Sequence, residues 1–431
     1  MIFVHKTPFF RITAVMVTGI ISATACPNNG LTIGFFLLGC TALAVHVWVQ
    51  RQPTECHYAW RWLFGLSAFL LFATIGRIAC EWEQLSKTIT LSSQFGSQPF
   101  DTLIKQLRDT LGGHLGRYTE GDTQALLRAL LLGDKSGLSF VQRNCFREAG
   151  CAHILAVSGL HVGIVFAALR ALCRRPAASL VGRLLQASLQ LGGLWTYALL
   201  CGMPPSVVRS ALMFSVIALS HSLQQHANTC NSVFFSAFML LLYRPSYLYD
   251  IGFQLSYTAV IGILAFARPF QQLLEPATWI GRQIWALESV SLAAQLATAP
   301  LCLHYFKSFP IYFPLSNLIA VPAATGFVYL GIGLLAAGLW PPVGQVIGWL
   351  LDTGYHIFFG LLSGISRFPY ATLHIGHFDW IDACWLALLL TSALLCLLHT
   401  HKLRWLYLHL GTLCTVLTVN LAGDLVLLLH G

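Results

Sequence analysis

The stretch CAHILAVSGLHVG (residues 151–163) is apolar enough to enter a bilayer, yet it carries two histidines, a serine and two glycines. It lies in a longer run, residues 149–169, that holds no Lys, Arg, Asp or Glu. Read as helix, Ser158 and His161 are three positions apart and share a face. His153 stands eight positions from His161, roughly 80° around the axis. Gly159 and Gly163 form a G-x-x-x-G pair that lets two helices approach closely. Polar groups in hydrocarbon are costly, so they should face a bundle interior or water. The plainer alternative is a tight packing site whose hydroxyl and imidazoles bond to neighbouring backbone. The stretch by itself leaves both readings open.

The same pattern extends outward. Charge-free runs cover residues 12–50, 184–208, 210–243, 251–267, 289–306, 308–351, 383–401 and 405–423. Charged residues make up only 10% of the 431-residue chain and hydrophobic ones 56%, against about 25% charged in a soluble domain. A span needs roughly 20 apolar residues. The chain therefore reads as an all-α, polytopic integral membrane protein with about ten transmembrane helices. The first run holds two spans hinged at PNNG (residues 27–30). The net charge of +9 fits either a positive-inside bias or an anionic ligand. Thirteen scattered cysteines read as small apolar residues, not as a disulfide or zinc framework.

Charge asymmetry orients the first half. Lys6 and Arg11 put the amino terminus in the cytoplasm, on a retained helix with no cleavage site in good context. Arg51 and Arg61 flank the loop that an in–out–in hairpin predicts. A third span over residues 61–80 exits at EWEQ, with Glu81 and Glu83. Arg170, Arg174, Arg175 and Arg183 return the next span to the cytoplasm. Three regions follow: a membrane anchor over 1–80, extracytoplasmic amphipathic or interfacial helices over 81–150, and a transmembrane domain over 151–431. In the middle region Phe100, Leu103, Ile104, Leu107, Leu111 and Leu115 line one helical face, opposite Asp101, Lys105, Arg108 and Asp109. A second helix over 123–132 should end at Gly133. A third should open at the capping box Ser139-x-x-Gln142 and stop near Gly150. Past residue 200 the loops carry too few charges to orient each span.

Pro300, Pro310, Pro314 and Pro322 interrupt a segment otherwise apolar enough to span. Proline-broken helices are expected there, and such breaks often line substrate paths. Arg209 follows Pro204-Pro205, which set a helix amino terminus. A phosphate could bind there through guanidinium and backbone N–H groups together; the alternative is an arginine snorkelling to the interface. Asp250, Gln254 and Ser256 open a further helix, with Asp250 and Gln254 four apart on one face. Asp250 reads as an N-cap, and Gln254 as lining for a polar path.

Four ordered blocks carry a resemblance: GDKSGLS (133–139) with FREAGCAHILAVSGLHVG (146–163), GMPPSVVRSALM (202–213), YRPSYLYDIGFQLSYTAVIGIL (243–264), and APLCLHYFKSFPIYFPLSNLIAVP (299–322). Together they resemble the membrane domain of ComEC-type bacterial competence proteins. The resemblance covers most of the chain from about residue 98 onward. It implies a channel of the bacterial inner membrane that passes single-stranded DNA during natural transformation. His153, Ser158, His161, Arg209, Asp250, Gln254 and Ser256 would line the DNA path, with Gly159 and Gly163 bracing helices. Lys105, Arg108, Arg117 and Arg128 could gather DNA at the entrance. Two features common in that family are missing. Residues 81–98 leave no room for an OB-type barrel. The ligand signature of a metallo-β-lactamase-like domain is also absent, since HIGHFD (His374, His377, Asp379) has the wrong spacing. No cofactor, metal or catalytic set is expected. The expected partners are single-stranded DNA, membrane lipid and separate DNA-binding, nuclease and motor proteins, since no ATP-binding loop occurs; a homo-oligomer is compatible. The rival readings are an intramembrane serine hydrolase built on Ser158, with a histidine in reach, and a small-solute or ion transporter.

Overall fold

The computed structural model describes residues 8–26, 31–38, 40–41, 61–92, 98–173, 179–223, 228–338, 340–376, 378–398 and 411. In chain order its helices are α1 (Pro8–Ala25), α2 (Arg61–Ser92), α3 (Gln98–Leu115), α4 (Gly121–Leu132) and α5 (Phe140–Glu148). Next come α6 (Gly159–Leu172), α7 (Leu180–Leu200), α8 (Pro205–Ser222) and α9 (Thr229–Tyr243). After the 3₁₀ turn Pro245–Tyr249 follow α10 (Ile251–Gln271), α11 (Trp279–Phe306), α12 (Phe313–Ala337), α13 (Pro341–Ser366) and α14 (Trp380–Leu398). Two short strands, β1 (Ser308–Pro310) and β2 (Thr372–His374), pair antiparallel with Phe309 opposite Leu373.

Among the described residues, α10, α11, α12 and α13 are each long and apolar enough to cross a membrane, and α1, α6, α9 and α14 contain shorter apolar segments. The hinge at residues 27–30, the loop holding Arg51, the residues Lys6, Arg174 and Arg175, and the apolar run 405–423 apart from residue 411 lie outside the described residues.

The chain forms two compact units, each discontinuous in sequence. The first comprises Met1–Gly137, Val157–Gln254 and Val328–Gly348; the second comprises Leu138–Ala156, Leu255–Phe327 and Trp349–Gly431. The quoted stretch thus passes from one unit to the other between Ala156 and Val157.

In the first unit α1 meets α2 backbone to backbone. A Cβ on Gly19 would lie 2.0 Å from the Ala73 carbonyl oxygen, and one on Gly76 would lie 2.4 Å from that of Met16. Beside this contact Arg77 is fully buried. Its guanidinium donates to Thr32 Oγ1 (2.8 Å), Ser22 Oγ (3.1 Å) and the Cys26 carbonyl (3.2 Å). Thr32 in turn donates to Glu81 Oε1 at 2.6 Å. A buried guanidinium is tolerable only when its donors are satisfied. The helix α2 differs from expectation in running past Cys80 to Ser92. EWEQ lies within this helix, and both Glu81 and Glu83 have partners there.

The middle region also departs from a row of surface-lying helices. α3 is amphipathic as the spacing predicts, with Leu103 and Leu107 exposed and Leu115 buried. α4, by contrast, buries Thr123, Ala125, Leu126, Leu127 and Ala129 through Leu132. Only Gly121, Asp122, Gln124 and Arg128 stay out of its buried face. It ends at Gly133 in the left-handed conformation (φ 71°), and α5 opens with the Ser139–Gln142 capping box, both as predicted. Arg128 of α4 pairs with Asp134 (2.8 Å) and Asp109 (3.1 Å), and Arg108 donates to the last α7 carbonyl, Leu200 O (2.7 Å). These two arginines have structural partners, whereas Lys105 and Arg117 are exposed.

Two of the four prolines mark the expected break: Pro310 lies in β1, between α11 and α12, and Pro314 in the first turn of α12; the other two do not end a helix. Pro300 lies inside α11 and Pro322 inside α12. Each removes a single backbone bond from a long helix whose other bonds persist. The real interruptions are β1, which holds Pro310, and a π turn over Ile263–Ala267 in α10. There Gly262 approaches α11 so closely that a Cβ would meet Ala293 O at 2.8 Å.

Two outcomes follow. Gly19→Val should cost about 1–3 kcal/mol by overpacking, seen as a lower thermal midpoint in detergent. Asp134 loses some charge stability through burial, but bonds from Ser136 and the Arg128 guanidinium outweigh this and lower its pKa below the ordinary 3.8. A lowered carboxylate stabilises above its unfolded pKa and loses that contribution as pH falls through the native value. Asp134→Asn should therefore destabilise at pH 7 and become neutral relative to wild type under strongly acidic conditions, as read by denaturant midpoints across pH.

Candidate functional site

Helices α6, α7 and α8 pack as a layer in the first unit around Val157, Val162, Phe166, Leu194, Ala198, Val207 and Ala211. Phe166 stacks on Phe214 at 4.9 Å, and Trp195 Nε1 donates to Ser215 Oγ at 3.2 Å. Gly202 and Met203, both at positive φ, turn the chain from α7 into α8. Pro204 caps that helix and Pro205 begins it, as the double proline predicts.

The stretch 151–163 is not one helix. Residues 151–158 form turns, and helix begins only at Gly159. Ser158 and His161 make the break by capping it. Ser158 Oγ accepts from Leu160 N (3.3 Å), His161 Nδ1 accepts from Ser158 N (3.1 Å), and the two side chains lie 3.1 Å apart. This is a capping box with histidine in the place usually held by Glu or Gln. Because Nδ1 accepts a backbone proton, the ring proton is assigned to Nε2. His161 is 1% exposed, and its Nε2 finds no acceptor among the described residues.

The α6 amino terminus abuts α8. A Cβ on Gly159 would lie 2.9 Å from Ser210 Oγ and 3.9 Å from a terminal nitrogen of Arg209; one on Gly163 would lie 3.3 Å from the Phe214 ring. Ser206 Oγ donates to Val157 O at 2.9 Å. Arg209 is 5% exposed, so it does not snorkel to a surface. The structure thus brings Ser158, Gly159, His161 and Arg209 together, with Gly163 one turn deeper.

Asp250 and Gln254 sit elsewhere in this unit. Asp250 Oδ1 accepts from Phe253 N (2.8 Å), capping α10, and Gln254 Nε2 donates to Leu248 O (2.8 Å). Asp250 thus caps α10, and Gln254 braces the 3₁₀ turn. His153, exposed, and Ser256, half-buried, belong to the second unit. No group of His, Cys, Asp and Glu able to hold a metal occurs among the described residues. His377 lies outside them.

Two residues escape a reading of the sequence. Glu83, which reads as an acid at the exit of a span, is buried. It accepts from Ser246 N (2.8 Å) and Oγ (2.6 Å) and pairs with Arg244 at 3.5 Å. Its partner is 163 positions away, so no local spacing announces it. Ser210 lines the Gly159 contact, and a serine in an apolar helix gives only a weak signal.

This geometry defines a polytopic helical membrane protein with a buried polar cluster at an interrupted helix. The chain belongs to the competence protein family, whose pattern matches residues 130–400. It is 30% identical over 335 residues to the ComE operon protein 3 of Bacillus subtilis (strain 168), covering 76% of this chain and 41% of that protein. It is 28% identical over 208 residues to the competence protein ComA of Neisseria gonorrhoeae, covering 47% of this chain and 28% of that one. Recombination protein 2 of Haemophilus influenzae is 25% identical over 288 residues, covering 64% of this chain and 36% of that protein. The chain therefore spans less than half the length of these relatives. No solved structure matches it.

Removing the Ser158 hydroxyl should cost about 1 kcal/mol, the usual loss of an N-cap. Gly159→Val should separate α6 from α8 and cost more, since its Cβ meets Ser210 at 2.9 Å. Thermal unfolding of the two variants in the same detergent checks the order.

Proposed function

We propose that this chain is a conduit of the bacterial inner membrane, with its amino terminus in the cytoplasm, that passes single-stranded DNA during natural transformation. The observation that carries the reading is the interrupted helix. α6 has 14 residues, about 21 Å of helix, short of the ~30 Å hydrocarbon core. Immediately before it, Val157 and Ser158 of the same unit are not helical. Non-helical backbone at membrane depth persists only where protein buries it or a wet cavity borders it. Here it ends on the positive pole of a helix, beside a buried arginine and a buried imidazole N–H. A helix amino terminus and a guanidinium together suit a phosphate. Membership of the competence protein family, with a relative named competence protein ComA, supports a role in DNA uptake.

Contacts within the first unit fit the hairpin expected near the amino terminus. Phe9 N donates to Asn231 at the start of α9, and Thr24 meets Tyr249 just after that helix. Glu83 near the end of α2 holds Ser246. Thus α1, α2 and α9 run parallel, which suits an in–out–in hairpin between α1 and α2. About ten spans remain the proposed total, and DNA-binding, nuclease and motor functions are assigned to other chains.

A hydrolase reading has one observation in its favour, the 3.1 Å Ser158–His161 contact. Yet the imidazole Nδ1 already accepts a backbone N–H, and Nε2 meets no orienting group among the described residues. The pair serves as a cap. We propose no catalytic role for it. Ser158→Ala should leave substantial DNA uptake, whereas total loss with a folded protein would favour the hydrolase.

Deleting the gene should abolish transformation while leaving surface capture of DNA intact; unchanged transformation overturns the conduit. Arg209→Gln should weaken uptake most at low salt and flatten its salt dependence, since a phosphate contact contributes to the salt slope. An equal deficit at every salt concentration assigns Arg209 to folding alone.

A further inference from the structure

The β1–β2 ribbon of the second unit leads to an aromatic residue that neither packing nor backbone geometry explains. Tyr370 lies in the turn between α13 and β2 with φ 57°. That region favours glycine or asparagine, and a bulky residue there is an outlier. Its side chain gains nothing from burial, being 83% exposed. Strain of this kind concentrates at ligand sites.

The turn that presents it is well held. The Tyr312 hydroxyl donates to Pro369 O (3.2 Å), Tyr312 packs edge-on against Phe368 at 5.4 Å, and Ile311 N donates to Ala371 O (3.0 Å). Helix α5 is tied to the same place: Thr372 Oγ1 donates to Glu148 O (3.4 Å), and Gly150 packs on Pro310. Exposed basic residues lie near the ring in sequence, Arg367 before it and His374 after it, and the helix tied to this turn carries exposed Arg143 and Arg147, the latter donating to Asn144 Oδ1 at 2.8 Å. Two acids of this region are engaged. Glu148 accepts from Asn144, and Asp382 caps the start of α14 by accepting from Asp379 N; the Asp379 carboxylate itself is exposed.

We propose that Tyr370 is a stacking platform for a base of single-stranded nucleic acid, with Arg367 and Arg147 meeting the neighbouring phosphates. The ligand class rests on the conduit reading; the site does not coincide with the α6 cluster. Flat rings beside guanidinium groups are the sequence-tolerant way to hold a single strand. The other occupant of an exposed, base-flanked tyrosine is the lipid interface, which the experiment separates.

The full chain in neutral phosphatidylcholine nanodiscs is titrated with fluorescent oligothymidylate and with an abasic oligonucleotide of equal length and charge. Tyr370→Gly suits the backbone and should keep or raise the thermal midpoint. It should weaken oligothymidylate binding by about tenfold, the scale of one lost base–aromatic stack, and leave abasic binding unchanged. Tyr370→Trp should bind as wild type or better. A Tyr370→Gly variant that binds oligothymidylate like wild type overturns the platform while leaving the conduit standing. An equal loss for both oligonucleotides also overturns it, since bases would then not be what the ring holds. Unchanged DNA binding with reduced partition into vesicles makes Tyr370 a lipid anchor. A wild-type chain that binds neither oligonucleotide overturns platform and conduit together.

Discussion

A backbone N–H or C=O in apolar surroundings must have a partner, and each helix end leaves several without one. That constraint accounts for where this chain places its few polar side chains. Arg108 meets the last carbonyl of α7, Arg183 donates to Ser222 O at the end of α8, and Trp285 Nε1 donates to Phe270 O near the end of α10. At the opposite ends, Ser139, Ser158, Ser179, Asn228, Asp250 and Thr278 accept from the first free amides. With only 10% of its residues charged, the chain uses even long cations as helix caps. A basic residue in such a protein is therefore not by itself a sign of an anionic ligand, and Arg108 and Arg128 show why.

The α6 amino terminus goes further than capping requires. Ser158 and His161 satisfy each other and the first turn. Arg209 and the His161 Nε2–H lie beyond that requirement, in a place where water is scarce and electrostatic interactions are strong. Desolvating a guanidinium is expensive, and a glycine at position 159 is needed for α8 to bring one so close. The positive pole of the helix and the cation sharpen each other's preference for an anion.

What could be read from the sequence was local. Gly133, the Ser139–Gln142 box, Pro204-Pro205 and Asp250 each act within four residues, and each acts in the structure as its chemistry predicts. The α6 cap was visible only as a serine and a histidine three apart. Histidine is not the usual partner in a capping box, so the spacing suggests a helical face where the structure has a helix start. The buried state of α4 was hidden for another reason. Twelve mostly apolar residues read the same on a surface or in a core until the neighbours are known. Glu83 with Ser246, and Arg108 with Leu200, are pairings 163 and 92 positions apart, which no window can capture. Pro310 and Pro314 marked a true break, whereas Pro300 and Pro322 misled because a long helix tolerates the loss of one bond.

The interleaving of the two units bears on how the protein is made. The first unit needs Val328–Gly348 to be whole, so its early helices cannot complete their contacts until most of the chain has left the ribosome. At a synthesis rate of about 5–20 residues per second, that wait lasts many seconds. During it, Arg77 and its ring of hydroxyls offer a local assembly that needs nothing downstream. This amino-terminal clasp gives the nascent protein a finished piece in the bilayer while the later helices are still being threaded in.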